Sequence, residues 1–260
     1  ITVTVNKADP AAEAPTARKL TYNGIAQQLV TGGSATGGTL EYSLDNKSWS
    51  AAVPTARDAG SYTVYYRVAG DANHNDVPAQ QLAVSIRKHS LTVTAQDLEK
   101  TYGDADPALT FVAIGLVHGD RLTGELTREK GEDVGRYAIT KGNLALEKAA
   151  AGNYTLVFQP GNLIVTPRTV TLAWRNDAFT YDGRAHAPIA TATGLVGADQ
   201  CAVTVTGKQT NAGSYTATAT RLGNANYALP KAVTHKFTID KAAIRITADD
   251  AIGPDNPDVG

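Results

Sequence analysis

Asp58-Ala59-Gly60-Ser61-Tyr62-Thr63-Val64, Asp133-Val134-Gly135-Arg136-Tyr137-Ala138-Ile139 and Asn211-Ala212-Gly213-Ser214-Tyr215-Thr216-Ala217 are three copies of one phrase. In each copy a polar residue and a glycine make a turn, and the tyrosine that follows opens an alternating run. This is the sequence form of a strand entered from a tight turn. A second phrase precedes each of them: Thr21-Tyr22-Asn23-Gly24, Thr101-Tyr102-Gly103-Asp104 and Thr180-Tyr181-Asp182-Gly183. The first tyrosines are spaced 80 and 79 residues apart and the second ones 75 and 78. A repeat of that length is a small domain, not the rung of a solenoid.

The period divides the 260 residues into modules at 7–88, 89–167 and 168–242. Residues 1–6, Ile-Thr-Val-Thr-Val-Asn, alternate like the runs that close the later modules and read as the last strand of an upstream module. Residues 243–260 read as the start of a fourth module, since Ala243-Ile-Arg-Ile-Thr-Ala-Asp-Asp250 follows the manner of residues 91–97. With Ile1 first and no methionine, the sequence reads as a piece of a longer protein.

Within the modules, short runs rich in β-branched residues are separated by Gly, Asn, Asp and Pro, and helical periodicity is missing. In the second module strands are expected over residues 91–95, 109–114, 122–128, 137–140, 154–158 and 163–166, with one helical turn as an option between 116 and 122. The expected class is all-β: three tandem Ig-like β-sandwiches, with a β-grasp-like sheet as the alternative. The joints at 87–88, 166–168 and 240–242 hold no long Gly/Ser linker, which favours a stiff, elongated rod.

Several function classes are disfavoured. A formal net charge of −1 without a basic block gives no electrostatic hold on nucleic acid or an anionic membrane. No apolar run approaches the roughly 18 residues of a membrane-crossing helix. The single cysteine, Cys201, excludes an intrachain disulfide framework and reads as a small half-buried apolar residue. The five histidines, His74, His89, His118, His186 and His235, occupy different places in the modules, and none pairs with a repeated Ser or Cys. No catalytic constellation is therefore expected.

The phrases resemble the MBG or YDG repeats of large bacterial surface proteins and fibrillar adhesins. The second module carries the fullest match, in Leu91-Thr-Val-Thr-Ala, Lys100-Thr-Tyr-Gly-Asp-Ala-Asp-Pro-Ala-Leu109, Gly115-Leu-Val-His-Gly-Asp-Arg-Leu122 and Gly135-Arg-Tyr-Ala-Ile139. The third matches through Phe179-Thr-Tyr-Asp-Gly and Asn211-Ala-Gly-Ser-Tyr215, and its Gly194-Leu-Val-Gly-Ala-Asp199 echoes residues 115–120. The first resembles a related repeat through Leu20-Thr-Tyr-Asn-Gly, residues 59–66 and Gly70-Asp-Ala-Asn-His-Asn-Asp76. The resemblance implies a secreted, surface-displayed bacterial stalk module without cofactor, with host mucin glycans or an extracellular protein as candidate partners beside the adjacent repeats.

Asp71, Asn73, Asn75 and Asp76 are the foremost calcium candidates, with Asp104 and Asp106, and Asp255 and Asp258, behind them. Calcium wants six to eight oxygens, and Asx side chains also cap turns by bonding their own backbone, which is the structural reading. Trp49, Asp71 and His74 are the candidate ligand contacts, since an aromatic face with a polar edge suits a sugar. Trp174 is a second such platform, and both tryptophans also fit a core or a module joint. Tyr22, Gly60, Tyr62, Tyr102, Gly135, Tyr137, Tyr181, Gly213 and Tyr215 are the structural repeat residues, and among them Tyr62, Tyr137 and Tyr215 suit a packing role with the hydroxyl bonded to backbone, like a tyrosine corner. The loops 32–38, 70–76 and 116–122 would carry any binding function, because loops on a rigid scaffold do so. A non-catalytic adhesin stalk is the expected function. A mucin- or host-protein-binding module and an accessory module of a carbohydrate-active enzyme are the alternatives.

Overall fold

The computed structural model describes residues 1–117 and 119–246 of the chain. The protein is all-β. Among the described residues the helical content is one 3-10 turn, Ala151–Asn153. The several sheets are consistent with the expected Ig-like sandwich modules. By backbone contact the residues gather into two compact units, 1–99 with 106–131 and 136–164, and 100–105 with 132–135 and 165 onward.

One four-stranded sheet is built three times. In the first copy the strand order is Leu20–Thr21, Val77–Arg87, Gly60–Gly70, Gly38–Ser43. The second runs Leu98–Thr101, Gly161–Thr166, Gly135–Thr140, Thr127–Arg128, and the third Ala178–Thr180, Thr234–Asp240, Gly213–Leu222, Val203–Thr206. The strand after the Gly-x-Tyr turn therefore lies antiparallel beside the strand that closes its module, as in the pairs Tyr62 with Val84 and Tyr215 with Phe237. The inward positions of these two strands are the core: Val64, Ile139 and Ala217 on one, and Ile86, Leu163, Val165, Phe237 and Ile239 on the other, all buried. Period-2 alternation puts them on one face, where a buried aliphatic side chain is worth about 1.5–3 kcal/mol.

In the first and third copies the short strand before the first tyrosine runs parallel to the closing strand, with Leu20 opposite Ile86 and Phe179 opposite Ile239. That register brings the amide of each first tyrosine onto the carbonyl just beyond the ladder: Tyr22 N–H to Arg87 at 2.8 Å, Tyr102 to Thr166 at 2.8 Å and Tyr181 to Asp240 at 2.9 Å. The second layer also repeats. His89–Ala95 lies between Phe111–Ile114 and Tyr154–Gln159, and Thr171–Arg175 pairs with Ile189–Thr193. The parallel pairs His89 with Tyr154, Arg168 with Tyr227 and Ala8 with His74 occupy one position in the three copies.

The structure corrects one expectation, the open loop at 32–38, and shows how the end stretches lie in this chain. Residues 1–6 form no strand, because their alternating run meets no free strand edge among the described residues, and Ile1, Val3 and Val5 stay exposed. The stretch 32–38 is not an open loop, since Ser34–Thr36 pairs with Ala11–Glu13 and Gly38 opens the strand Gly38–Ser43. Residues 243–246 form no strand either, while 247–260, including Asp255 and Asp258, lie outside the described residues, as does His118.

Candidate functional site: a tyrosine–aspartate lock where modules meet

Within the first unit, the first and second modules meet through the residues that define the repeat. The turn that follows Leu20–Thr21 presents Tyr22, which is only 1% exposed, and its hydroxyl donates to Asp120 Oδ2 at 2.9 Å. The Tyr154 hydroxyl of the second module donates to the same oxygen at 2.7 Å and accepts the Val117 N–H at 3.1 Å. The two rings pack edge to face at 5.4 Å and 73°, a geometry worth about 0.5–1.5 kcal/mol beyond area burial. His89 Nδ1 donates to the Tyr22 carbonyl at 3.1 Å, closing the backbone side.

A second clamp lies beside the first. Asn153, buried at the end of the 3-10 turn, accepts the Ala59 N–H on Oδ1 at 2.8 Å and donates from Nδ2 to Asp58 at 3.0 Å. One carboxamide thus holds the Asp-Ala-Gly turn of the preceding module by its donor and its acceptor. The turn itself is fixed from within, because the Tyr62 hydroxyl donates to the Asp58 carbonyl at 2.7 Å.

The second unit contains the same arrangement with other residues. Tyr102 and Tyr227 donate to Asp199 Oδ2 at 2.9 and 2.6 Å, and the Val196 N–H reaches the Tyr227 hydroxyl at 2.8 Å. Their rings meet edge to face at 5.5 Å and 80°. Asn226 accepts the Val134 N–H and donates to Asp133, both at 2.8 Å. Arg168 takes the part of His89, donating from Nε to the Tyr102 carbonyl at 2.7 Å and pairing with Asp104. Gly103, at φ +82°, lies so close to Val196 that a Cβ there would stand 2.3 Å from its methyl, so this turn requires glycine for contact as well as conformation.

All four hydroxyls are held protonated. Burial first, then the hydrogen bond to Asp120, pushes Tyr154 up to about 12, and the same causes raise Tyr22. The Asp199 hydrogen bond and then burial raise Tyr102, whereas burial leads for Tyr227. A phenol whose folded pKa lies above its unfolded value of about 10 lends stability that is complete below pH 10 and disappears as pH climbs towards 12. Thermal unfolding of the chain should therefore fall steeply between pH 10 and 12. In Tyr154→Phe that fall should be visibly shallower, which separates it from the background titration of lysines.

The residues singled out for ligands lie elsewhere. Asp71 Oδ1 accepts the Asn73 N–H at 2.8 Å and pairs with His74 at 2.7 Å, and these bonds hold its carboxyl below the usual range. Asp76 accepts the Gly70 N–H at 2.8 Å, and Asn75 donates to Asp9 at 2.9 Å. Asp104 and Asp106 are engaged by Arg168 and Arg128. Among the described residues no three His, Cys, Asp or Glu stand together as a metal site. The Arg67 guanidinium covers one Trp49 face at 4.4 Å, and His235 stacks on Trp174 at 5.0 Å. The groove beside Trp49 is lined by Asn46, Arg67, Asp76 and Pro78. Tyr137 carries Arg128 over its ring, the Tyr215 hydroxyl donates to the Asn211 carbonyl at 3.0 Å, and Cys201 packs half-buried beside Val170 and Tyr227. Of the proposed binding loops, 116–122 supplies Val117 and Asp120 to the lock. Among the described residues no helix is long and apolar enough to cross a membrane.

The lock also uses residues that the sequence reading passed over. Asn153-Tyr154 and Asn226-Tyr227 are a third repeated phrase, with Asn73-His74 in its place in the first module. The signal was there as a spacing, but Asn-Tyr is too common a pair to stand out without its partner.

The fold repeats one four-stranded sheet, and each unit holds one tyrosine–aspartate lock. Residues 91–164 match the family model described as MBG domain (YGX type). Among solved structures it is similar to extracellular domains 3-5 of Drosophila OTK, at 10% identity and a TM-score of 0.26, covering 92% of this chain and 100% of that one. No curated protein matches it.

Proposed function

We propose that the chain is a non-catalytic spacer segment of an extracellular bacterial surface adhesin, whose neighbouring modules are locked to one another so that a binding region elsewhere is held away from the cell. One observation carries this reading. The side chains that recur from module to module, Tyr22 and Tyr102 with Asp120 and Asp199, are engaged with the neighbouring module. A shared ligand site would instead place recurring polar and aromatic groups at a free surface. A spacer gains from joints that resist bending, and a carboxylate shared by two buried hydroxyls supplies a directional bond that apolar packing lacks.

Glycan-array and mucin-binding assays, with and without calcium, test the proposal. Silence from folded protein is the expected result. A saturable signal abolished by Trp49→Ala would replace the spacer with a receptor module, with the ligand seated in the groove beside Arg67.

A further inference from the structure

The third module ends in the same surface that its two predecessors use, and there it is uncovered. Tyr181 is seated by its amide on Asp240 as Tyr22 is on Arg87 and Tyr102 on Thr166. The Asn211-Ala212-Gly213 turn is braced by the Tyr215 hydroxyl as the Asp58 turn is by Tyr62. Yet Tyr181 is 43% exposed where Tyr22 is 1%. Ala212 is exposed where Ala59 and Val134 are half-buried. Among the described residues neither the Tyr181 hydroxyl nor the Asn211 side chain has a hydrogen-bond partner. The neighbouring Asp182 carboxylate is turned into its own loop, accepting the Arg184 N–H at 2.9 Å and pairing with His186 at 2.7 Å.

From this we infer that the end of the third module, formed by Tyr181, Asn211 and Ala212, is a docking surface for a further β-module that presents an aspartate after a Gly-Leu-Val turn and an Asn-Tyr pair. The inference rests on the spacer reading and names the partner that the open end takes. Charge and geometry select that partner: the aspartate accepts from the Tyr181 hydroxyl, the tyrosine packs edge to face on its ring, and the asparagine caps the Ala212 N–H. The first module of a second copy does not fit. After Gly37 its chain passes directly into Gly38–Ser43 without a loop like 115–122, and His74 stands where the others have tyrosine. A module following in the same chain does fit, because Thr234–Asp240 leads into Ala243-Ile-Arg-Ile-Thr-Ala as Val77–Arg87 leads into His89–Ala95.

The test is a chain in which residues 89–166 are repeated directly after Lys241, compared with the chain as it stands. Tyrosine ring carbons are followed by NMR through a pH titration, alongside thermal unfolding. In the extended chain the Tyr181 pKa should rise by about one pH unit or more, and Tyr181→Phe should lower its unfolding midpoint while leaving that of the parent unchanged. Replacing the added copy's counterpart of Asp120 with alanine should return Tyr181 to its parental titration. The same Tyr181 titration in both chains, or a Tyr181→Phe effect equal in both, overturns the docking surface. Tyr22→Phe and Asp120→Ala in the parent separate the two ideas. If these loosen their own joint while Tyr181 stays unaffected, the spacer stands and the docking surface falls; if neither acts, both fall.

Discussion

Asp120→Ala should destabilise the meeting of the first two modules by about 3 kcal/mol, because it strands two hydroxyls in a place that water does not freely reach. Tyr22 and Tyr154 are 1% and 4% exposed and share one carboxylate oxygen, so the substitution removes two charge-assisted bonds together. Tyr154 keeps the Val117 N–H, which is why the loss stays below the sum of two fully orphaned groups. Asp120→Asn keeps an acceptor of the same shape and should lose only about 1 kcal/mol. Native-state hydrogen exchange at the Val117 amide reads the opening energy directly. A double-mutant cycle with Tyr22→Phe should return a coupling of about 1 kcal/mol or more, as expected for groups in one hydrogen-bond network. Zero coupling would mean that the carboxylate serves its own module alone and that the lock is packing.

Asn153→Ala should cost about 2 kcal/mol through a different route, by leaving a backbone amide and an aspartate of the preceding module without the carboxamide that joins them. The Ala59 amide, which donates to Asn153 Oδ1 at 2.8 Å, should exchange at least tenfold faster in the variant, while amides of the strand Gly161–Thr166 keep their protection. Asn226→Ala should do the same to the Val134 amide in the second unit. Asn153→Asp discriminates further. It retains the acceptor for Ala59 but sets a negative charge 3.0 Å from Asp58, and so should be worse than alanine at high pH and milder when both carboxyls are protonated. Unchanged exchange at Ala59 in all of these would show that the turn is held by Tyr62 alone.

Much of the fold was legible in the sequence because strand and turn signals are local. Gly60, Gly135 and Gly213 announce their turns through the residues beside them, and the alternation of Val84 with Ile86 or Phe237 with Ile239 fixes which face is buried. The period of the tyrosines matches the recurrence of the four-stranded sheet. Residues 1–6 alternate in the same way yet form no strand in this chain, since alternation states which face a strand would bury and a ladder still needs a neighbouring edge.

The lock could not be read from spacing. Tyr22 and Asp120 are 98 positions apart, and nothing within either phrase says that a hydroxyl of one module is completed by a carboxylate of the next. The hydroxyls of Tyr62 and Tyr215 bond the backbone of their own turns, whereas those of Tyr22 and Tyr102 point outward from their own module. Local chemistry thus determined the all-β class, the turns and the inward faces of the strands, because each depends on residues a few positions apart. Which of the recurring polar groups are satisfied at home and which by a neighbour was decided only by the tertiary structure, since a hydrogen bond between modules depends on how the closing strand of one delivers the chain to the next.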